Sequence, residues 1–500
     1  MIDSILYGFG VALTPTNLFY CFAGVFFGTF VGVLPGVGSL AAITLLLPLT
    51  YYVEPTTAVI MLAGVYYGAE YGGSTASILL NLPGTPSNAV TCLDGHPMTK
   101  QGRAGVALFT SAAASFVGGT LGILMLTFAT PAVVALTFAF APAEYFALML
   151  CALVAAGAVT QGAPVKGLAM VVVGLLLGVV GIDPNSGAVR FSSGVLYLYE
   201  GIGLVPMAMG LFGVAEIMAS IGIPRGEGAT QKVTLRSMLP TRQDVTQSIA
   251  PVLRGTGVGS FFGALPGTGV TVASFVSYAV EKRVAKDPRR FGRGAIEGVA
   301  GPEAANNAGA QTAFIPTLAL GIPGSVTMAI ILGALIIHGI VPGPKLISDH
   351  PEIFWGLLAS FWIGNIMLLI LNIPMIGIWV RIVQIPYKLL YPSIVALLCI
   401  GVYTIGNSLF DVGLVFLFGA LGYLMRIFGY PPAPVLIGFV LGPMMEVNLR
   451  RALILSRGDL MVFIERPVCA AFLAITFAIL AWTIYSVIRE RSLRSAAGVA

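Results

Sequence analysis

The stretch Gly28-Thr-Phe-Val-Gly-Val-Leu-Pro-Gly-Val-Gly38 returns as Gly259-Ser-Phe-Phe-Gly-Ala-Leu-Pro-Gly-Thr-Gly269, identical at seven of eleven positions and displaced by 231. Further motifs follow in the same order. Leu80-Asn-Leu-Pro-Gly-Thr85 resembles Leu320-Gly-Ile-Pro-Gly-Ser325, and Ala114-Ser-Phe-Val-Gly-Gly119 resembles Ala359-Ser-Phe-Trp-Ile-Gly364. Ordered motifs with slowly growing displacement imply duplication of one unit. The chain divides into a first repeat over 1–223, a polar linker over 224–250 and a second repeat over 251–500 that ends in a helix and a basic tail.

The surroundings of these motifs fix the solvent. Only 9% of the 500 residues are charged and 57% are hydrophobic, whereas a soluble domain carries about a quarter charged residues. Residues 4–53, 104–143, 304–337 and 353–380 hold no charge at all, and each exceeds the ~20 residues an apolar helix needs to span a bilayer. A cytosolic enzyme, a secreted domain and a nucleic-acid binder are excluded together. The fold class is an all-α polytopic membrane protein with about ten to twelve membrane segments. The N-terminus lacks the basic region of a cleaved signal peptide, so the first apolar segment is expected to remain. The five cysteines are scattered without a CxxC spacing and read as small core residues.

Charge suggests how the halves sit. No Lys or Arg precedes Lys100, while the turn at 281–293 holds Lys282, Arg283, Lys286, Arg289, Arg290 and Arg293. Basic short loops stay cytoplasmic, so the N-terminus and the turn at 51–56 are expected outside, and the equivalent turn of the second repeat inside. Matching loops on opposite sides make an inverted-topology repeat, a frequent transporter architecture. The segment 251–281 then enters and leaves on one side as a re-entrant hairpin with Leu265–Gly269 at its tip, mirrored by Leu34–Gly38. A single kinked helix with one side assigned wrongly is the competing reading.

Chemistry concentrates where Pro-Gly breaks helices at membrane depth, because unpaired backbone survives there only in protein or beside a wet cavity. One polar tract runs from Gly68 through Ser77 to Asn81-Leu-Pro-Gly-Thr-Pro-Ser-Asn88, the other from Gly298 through Asn307 to Gly321-Ile-Pro-Gly-Ser325 and Thr327. A half-helix N-terminus presents free N–H groups to an anion, and unwound carbonyls with neutral side-chain oxygens suit Na+. The substrate-binding candidates are Asn81, Pro83, Gly84, Thr85, Ser87, Asn88, Pro323, Gly324, Ser325 and Thr327. The cation-binding candidates, a possible seat for Na+, are Gly36, Gly38, Ser39, Gly267, Thr268, Gly269, Thr271, Asn306 and Asn307. Glu70 and Glu303 are acids in apolar surroundings, where ionisation costs at least ~2.5 kcal/mol. They read equally as coupling groups or as carboxylates that cap a broken helix or face a wet vestibule. Asp94–Arg103 reads as a cytoplasmic loop with ordinary charges, Asp94 and His96 being second-rank candidates. No GK dipeptide, G-x-S-x-G or H-E-x-x-H occurs, so no catalytic residue or cofactor is expected and the chain is read as a non-enzyme.

Several of these motifs resemble one family. Gly32-Val-Leu-Pro-Gly-Val-Gly38, Tyr66-Tyr-Gly-Ala-Glu-Tyr-Gly-Gly-Ser74, Asn81-Leu-Pro-Gly-Thr-Pro86, Asp94-Gly-His-Pro97, Gly301-Pro-Glu-Ala-Ala-Asn-Asn307 and Pro316-Thr-Leu-Ala-Leu-Gly-Ile-Pro-Gly324 are similar to the large membrane subunit of tripartite tricarboxylate transporters, the TctA family. The resemblance implies a secondary transporter of the bacterial inner membrane, multi-pass, that works with a small membrane subunit and a periplasmic solute-binding protein. It implies uptake of citrate or a related organic acid, driven by a Na+ or H+ gradient. A passive channel and, less well, a membrane-embedded enzyme are the alternative readings of the residues.

Overall fold

The computed structural model describes residues 1–34, 37–137, 140–159, 163–183, 186–220, 233–265, 269–382 and 387–496. The first half runs α1 (Ile2–Ala12), α2 (Pro15–Val33), α3 (Gly38–Leu46), α4 (Pro55–Leu80), α5 (Cys92–Lys100), α6 (Ala104–Thr137), α7 (Pro142–Ala158) and α8 (Pro164–Gly178). A two-residue antiparallel ribbon, β1 (Gly181–Ile182) with β2 (Val189–Arg190), precedes α9 (Leu204–Ala208), a π-helical turn and α10 (Ala215–Ser220). The second half runs α11 (Arg242–Ala264), α12 (Gly269–Val284), α13 (Glu297–Thr312), α14 (Phe314–Leu320), α15 (Val326–Ile337), α16 (Leu346–Asp349) and α17 (Pro351–Asn372). It ends with α18 (Ile376–Ile382), α19 (Tyr387–Gly406), α20 (Leu409–Ile427), α21 (Ala433–Leu455), α22 (Val462–Glu465) and α23 (Pro467–Ala496).

Five described helices are long and apolar enough to cross a membrane: α2, α6, α17, α20 and residues 467–486 of α23. Seven shorter apolar helices accompany them, and the chain is a multi-pass membrane protein. Helix α11 begins at Arg242, before the boundary placed at Pro251. Its start is set by Thr241, whose hydroxyl accepts from the Asp244 amide while the Asp244 carboxylate accepts from the Thr241 amide, a reciprocal cap.

Small residues let the central helices touch. A Cβ added at Gly24, Gly28 or Gly32 of α2 would lie 2.3 Å from the carbonyl oxygens of Met61, Val65 and Ala69 in α4. On α11, Gly255, Gly259 and Gly263 meet the carbonyls of Gly301, Ala305 and Gly309 in α13 in the same way, at 2.1 to 2.4 Å. Membrane helices associate through such glycine stripes because lipid gives apolar side chains no reason to cluster. Helix α6 closes over α13 through Gly118 and Gly122, which abut the backbone of Ala304 and Ala308. This packing leaves α4 and α13 buried along nearly their whole length, and both carry polar residues.

Helices α11 and α12 fold back on one another. The Arg254 guanidinium donates to both Glu281 oxygens at 2.9 and 2.5 Å. The two residues sit 11 and 12 positions from Leu265 and Gly269, roughly 16–18 Å along each helix. That level match is the geometry of a hairpin. Of the expected tip, residues 266–268 lie outside the described residues, as do residues 35–36 of its counterpart.

Candidate functional site at two buried carboxylates

Both α4 and the α13–α14 pair stop on a residue in the left-handed region, Asn81 (φ 59°) and Gly321 (φ 69°). Asn and Gly are the residues that tolerate this conformation at a helix end. The chain beyond then turns inward at Pro-Gly. Gly84 is a necessity there: a Cβ would fall 2.0 Å from the Gly32 carbonyl oxygen and 2.5 Å from the Gly73 Cα. The two breaks continue differently. In the first half Thr85 leads into a single 3-10 turn, Pro86–Ala89, and its side chain does not cap it. In the second, Ser325 caps α15 by accepting from the Met328 amide at 3.3 Å, so only this break opens directly onto a long helix N-terminus.

The Thr85 and Ser87 side chains turn instead to Glu70, which is buried in the middle of α4. Thr85 Oγ1 lies 3.0 Å from Glu70 Oε2, Ser87 Oγ donates to the same oxygen, and Ser39 Oγ donates to Oε1 at 3.0 Å. Ser39, a cation candidate, and Thr85 and Ser87, substrate candidates, therefore share one carboxylate. Asn306 of α13 lies beside Glu70 as well. It is 1% exposed, its carboxamide faces the Glu70 carboxylate, and its carbonyl oxygen has no hydrogen-bond partner.

Glu303, equally buried on α13, has a different shell. Asn88 Nδ2 donates to its Oε1 at 3.3 Å, as does the Thr91 hydroxyl, and Ser115 Oγ donates to Oε2 at 3.3 Å. Asn307 Nδ2 reaches Ser115 Oγ at 2.7 Å and the Glu303 carbonyl at 3.1 Å. Asn88 links the two acids, meeting the Glu303 carboxylate directly and the Glu70 carboxylate only through Thr85. Its amide nitrogen also meets the Glu70 carbonyl at 3.3 Å, and its Oδ1 lies 2.5 Å from Thr85 Oγ1. The side-chain nitrogen must face the two acceptors, which fixes the amide orientation. Gly73 leaves room for it, since a Cβ there would lie 2.1 Å from Asn88 Oδ1.

The remaining candidates are spread more widely. Asn81 is exposed and serves as the helix stop, and Pro83 is half-buried in the turn. Gly38 (φ 73°) and Gly269 (φ 65°) open α3 and α12, and Gly38 lies against the Gly84 carbonyl. Thr271 is half-buried on α12. Pro323, Gly324 and Thr327 are buried around the start of α15. Gly36, Gly267 and Thr268 lie outside the described residues.

Residues 94–100 are not a surface loop. They form most of α5, and Asp94 is fully buried. Its Oδ1 accepts from the amides of Gly292, Gly294 and Ala295 at 2.8 to 2.9 Å, and Tyr278 donates to Oδ2 at 2.9 Å. Asp94 thus fastens the first half to the turn that starts α13. His96 is half-buried, its ring nitrogen facing the Ile78 carbonyl. Thr91 and Ser115 were not among the sequence candidates. The signal available for Ser115 was its place in a small-residue row, Ser111-Ser115-Gly118-Gly122, at helical spacing on uncharged α6.

A cavity of about 680 Å3 lies elsewhere, lined by Tyr51, Tyr197, Tyr199, Glu200 and Asp411 among others. None of the candidates borders it. Among the described residues no group of His, Cys, Asp and Glu is arranged to hold a metal ion in a cluster of three or more.

A largely helical membrane protein whose interior holds two carboxylates in a shell of hydroxyls and amides beside two helix breaks has the construction of a membrane transporter. Residues 18–437 match the family model described as "Tripartite tricarboxylate transporter TctA family", and the chain belongs to that family. It is 49% identical over 491 residues to a protein of Agrobacterium vitis described as "Uncharacterized 52.8 kDa protein in TAR-I ttuC' 3'region", covering 98% of each chain. A second Agrobacterium vitis protein, "Uncharacterized protein in TAR-II ttuC' 3'region", is 55% identical over 217 residues, 43% of this chain and 90% of that one. No solved structure matches.

Proposed function

We propose that the chain is the secondary active transporter subunit of a three-part uptake system of the bacterial inner membrane, importing a tricarboxylate or related organic acid such as citrate. The observation that carries this reading is the Glu70–Thr85–Asn88–Glu303 network: two buried acids, one from each half, linked through the Thr85 hydroxyl and the Asn88 amide. Carboxylates at membrane depth are costly and mark ion or substrate paths. Such a pair gives a Na+ or H+ gradient a group on which to act. The start of α15, at Pro323, Gly324, Ser325 and Thr327, is the place for a substrate carboxylate, where free amides and the helix dipole favour negative charge.

In this reading the halves form an inverted repeat with the N-terminus in the periplasm, and re-entrant hairpins tip at Leu34–Gly38 and Leu265–Gly269. The parallel glycine stripes of α2 on α4 and of α11 on α13 support the repeat, and the Arg254–Glu281 level match supports the second hairpin. A small membrane subunit completes the membrane part, and a periplasmic solute-binding protein delivers the organic acid. The test is uptake of labelled citrate, and of a panel of di- and tricarboxylates, in cells expressing all three parts or lacking one. Saturable uptake that disappears without the binding protein is expected. Uptake indifferent to the binding protein and never saturating would overturn the reading in favour of a channel.

A further inference from the structure

Hydrogens can be counted around Glu70. Four oxygens crowd one point: Glu70 Oε2, Thr85 Oγ1, Ser87 Oγ and Asn88 Oδ1. Thr85 Oγ1 lies 3.0 Å from the carboxylate, 2.7 Å from Ser87 Oγ and 2.5 Å from Asn88 Oδ1, and Ser87 Oγ touches the carboxylate. These are four close oxygen–oxygen contacts. The hydroxyls of Thr85 and Ser87 supply one hydrogen each, and the carboxylate and the Asn88 carbonyl oxygen supply none. Two contacts are therefore left with facing lone pairs and no hydrogen between them. Protonating Glu70 would fill one and leave the other. Ser39 cannot help, because its hydrogen goes to Oε1.

The Glu303 shell shows the contrast. Each of its contacts, from Asn88 Nδ2, Thr91 Oγ1 and Ser115 Oγ, has its own hydrogen, and Asn307 supplies Ser115 with another. Every contact of the Glu303 carboxylate is satisfied, whereas the Glu70 cluster is two hydrogens short. Beside that cluster stands Asn306, buried with its carboxamide turned to Glu70 and its carbonyl oxygen without a donor, a buried acceptor that a folded chain seldom leaves without a ligand.

We propose that Glu70, Thr85, Ser87 and Asn88, with the Asn306 carbonyl oxygen as a further ligand, form a monovalent-cation site selective for Na+. One carboxylate with neutral oxygens balances a single charge without leaving a net charge buried. The ligands come from both sides of the Asn81 break and from α13, so the cation ties the first half to the second. Asn88 carries the consequence onward: its oxygen belongs to the cation and its nitrogen to Glu303, so occupancy sets the bond to the second carboxylate. This deepens the transport reading by naming its ion and rests on that reading for its role.

The test is thermal unfolding of the purified chain in detergent, without substrate or gradient, titrated with NaCl against choline chloride and KCl at constant ionic strength. A cation that binds only the folded state raises the unfolding temperature in a saturable way. Na+ is expected to do so at concentrations where K+ and choline do not, and equal stabilisation by K+ would overturn the selectivity. In Glu70→Gln and Thr85→Val the half-saturating Na+ concentration rises about tenfold or more, the loss of a strong ligand, whereas Thr85→Ser, which keeps the hydroxyl, stays near wild type. If Glu70→Gln does not fold, Thr85→Val against Thr85→Ser and Asn306→Ala decide. Stabilisation by Na+ that survives these substitutions would overturn the site. Stabilisation by acid alone, with no Na+ effect, would overturn it in favour of a proton. Because nothing is transported in this assay, a Na+ response without uptake would sink the transport reading and leave the site, and uptake without a Na+ response would do the reverse.

Discussion

Asp94 accepts four hydrogen bonds from the far half of the chain, three of them from the backbone amides of Gly292, Gly294 and Ala295. Removing the carboxylate strands the buried Ala295 amide and the half-buried Gly294 amide, at ~1–3 kcal/mol for a fully buried donor, while the exposed Gly292 amide can turn to water. Asp94→Ala is therefore expected to lose roughly 2 kcal/mol of stability, seen as a clear fall in unfolding temperature and in the folded fraction on gel filtration. An unchanged unfolding temperature would show that the turn holds itself. At this scale the sequence was partly legible. Glu70 and Glu303 stood out because acids are rare in apolar stretches, and Thr85, Ser87 and Asn88 because they follow a Pro-Gly break. Their division into substrate and cation ligands was not readable, since hydroxyls serve either chemistry and only the fold shows which oxygens converge. Asp94 was read as a surface charge because its neighbours Lys100 and Arg103 are polar. Its four partners lie some two hundred positions away, beyond any local pattern.

The elements tell a similar story about what periodicity can carry. Uncharged runs located α2, α6 and α17 directly, and the Leu-Pro-Gly motif marked the ends of α2 and α11. Two features depend on pairing that no local pattern carries. Helix α5 was read as loop from its Gly, Pro and charged residues, yet it is held by burial against α4 and α13. The hairpin of α11 and α12 could not be told from a kinked helix until the Arg254–Glu281 bond fixed the level at which they meet. Glu281 is 1% exposed in its side chain and Arg254 41%. Arg254→Ala should cost roughly 2 kcal/mol, below the ~3–5 kcal/mol of a fully buried pair because water still reaches the guanidinium. The double variant Arg254→Ala/Glu281→Ala should recover part of that loss. A double variant no more stable than the single one, in thermal unfolding, would contradict the assignment. The glycine contacts also give the register of the two helix pairs. Counted from them, Ala310 stands where Glu70 would, and Ala63 where Glu303 would. In the proposed repeat the two acids are then not mates, and each half contributes one at a different depth. Such asymmetry suits a cation site at one carboxylate and a fully hydrogen-bonded carboxylate at the other.

For the whole molecule, the account makes the sides of the membrane opposite for matching turns. Single cysteines introduced at Tyr52 and at Arg289, both exposed, in a chain freed of its five native cysteines, should react with an impermeant thiol reagent from the periplasm and the cytoplasm respectively. Labelling of both from one side would dismantle the inverted repeat. Composition made the membrane class plain from the outset, and the motifs made the family plain, because both are properties of the sequence itself. Sidedness and coupling belong to the molecule in its bilayer, and they decide the central claim. The most direct measurement is accumulation of labelled citrate in proteoliposomes holding the chain, its small membrane subunit and the binding protein, under an inward Na+ gradient with no pH difference. The account predicts a lumenal concentration well above that outside, collapsing to equality when a Na+ ionophore is added. Citrate that only ever equilibrates across the membrane, with or without the gradient, would contradict it.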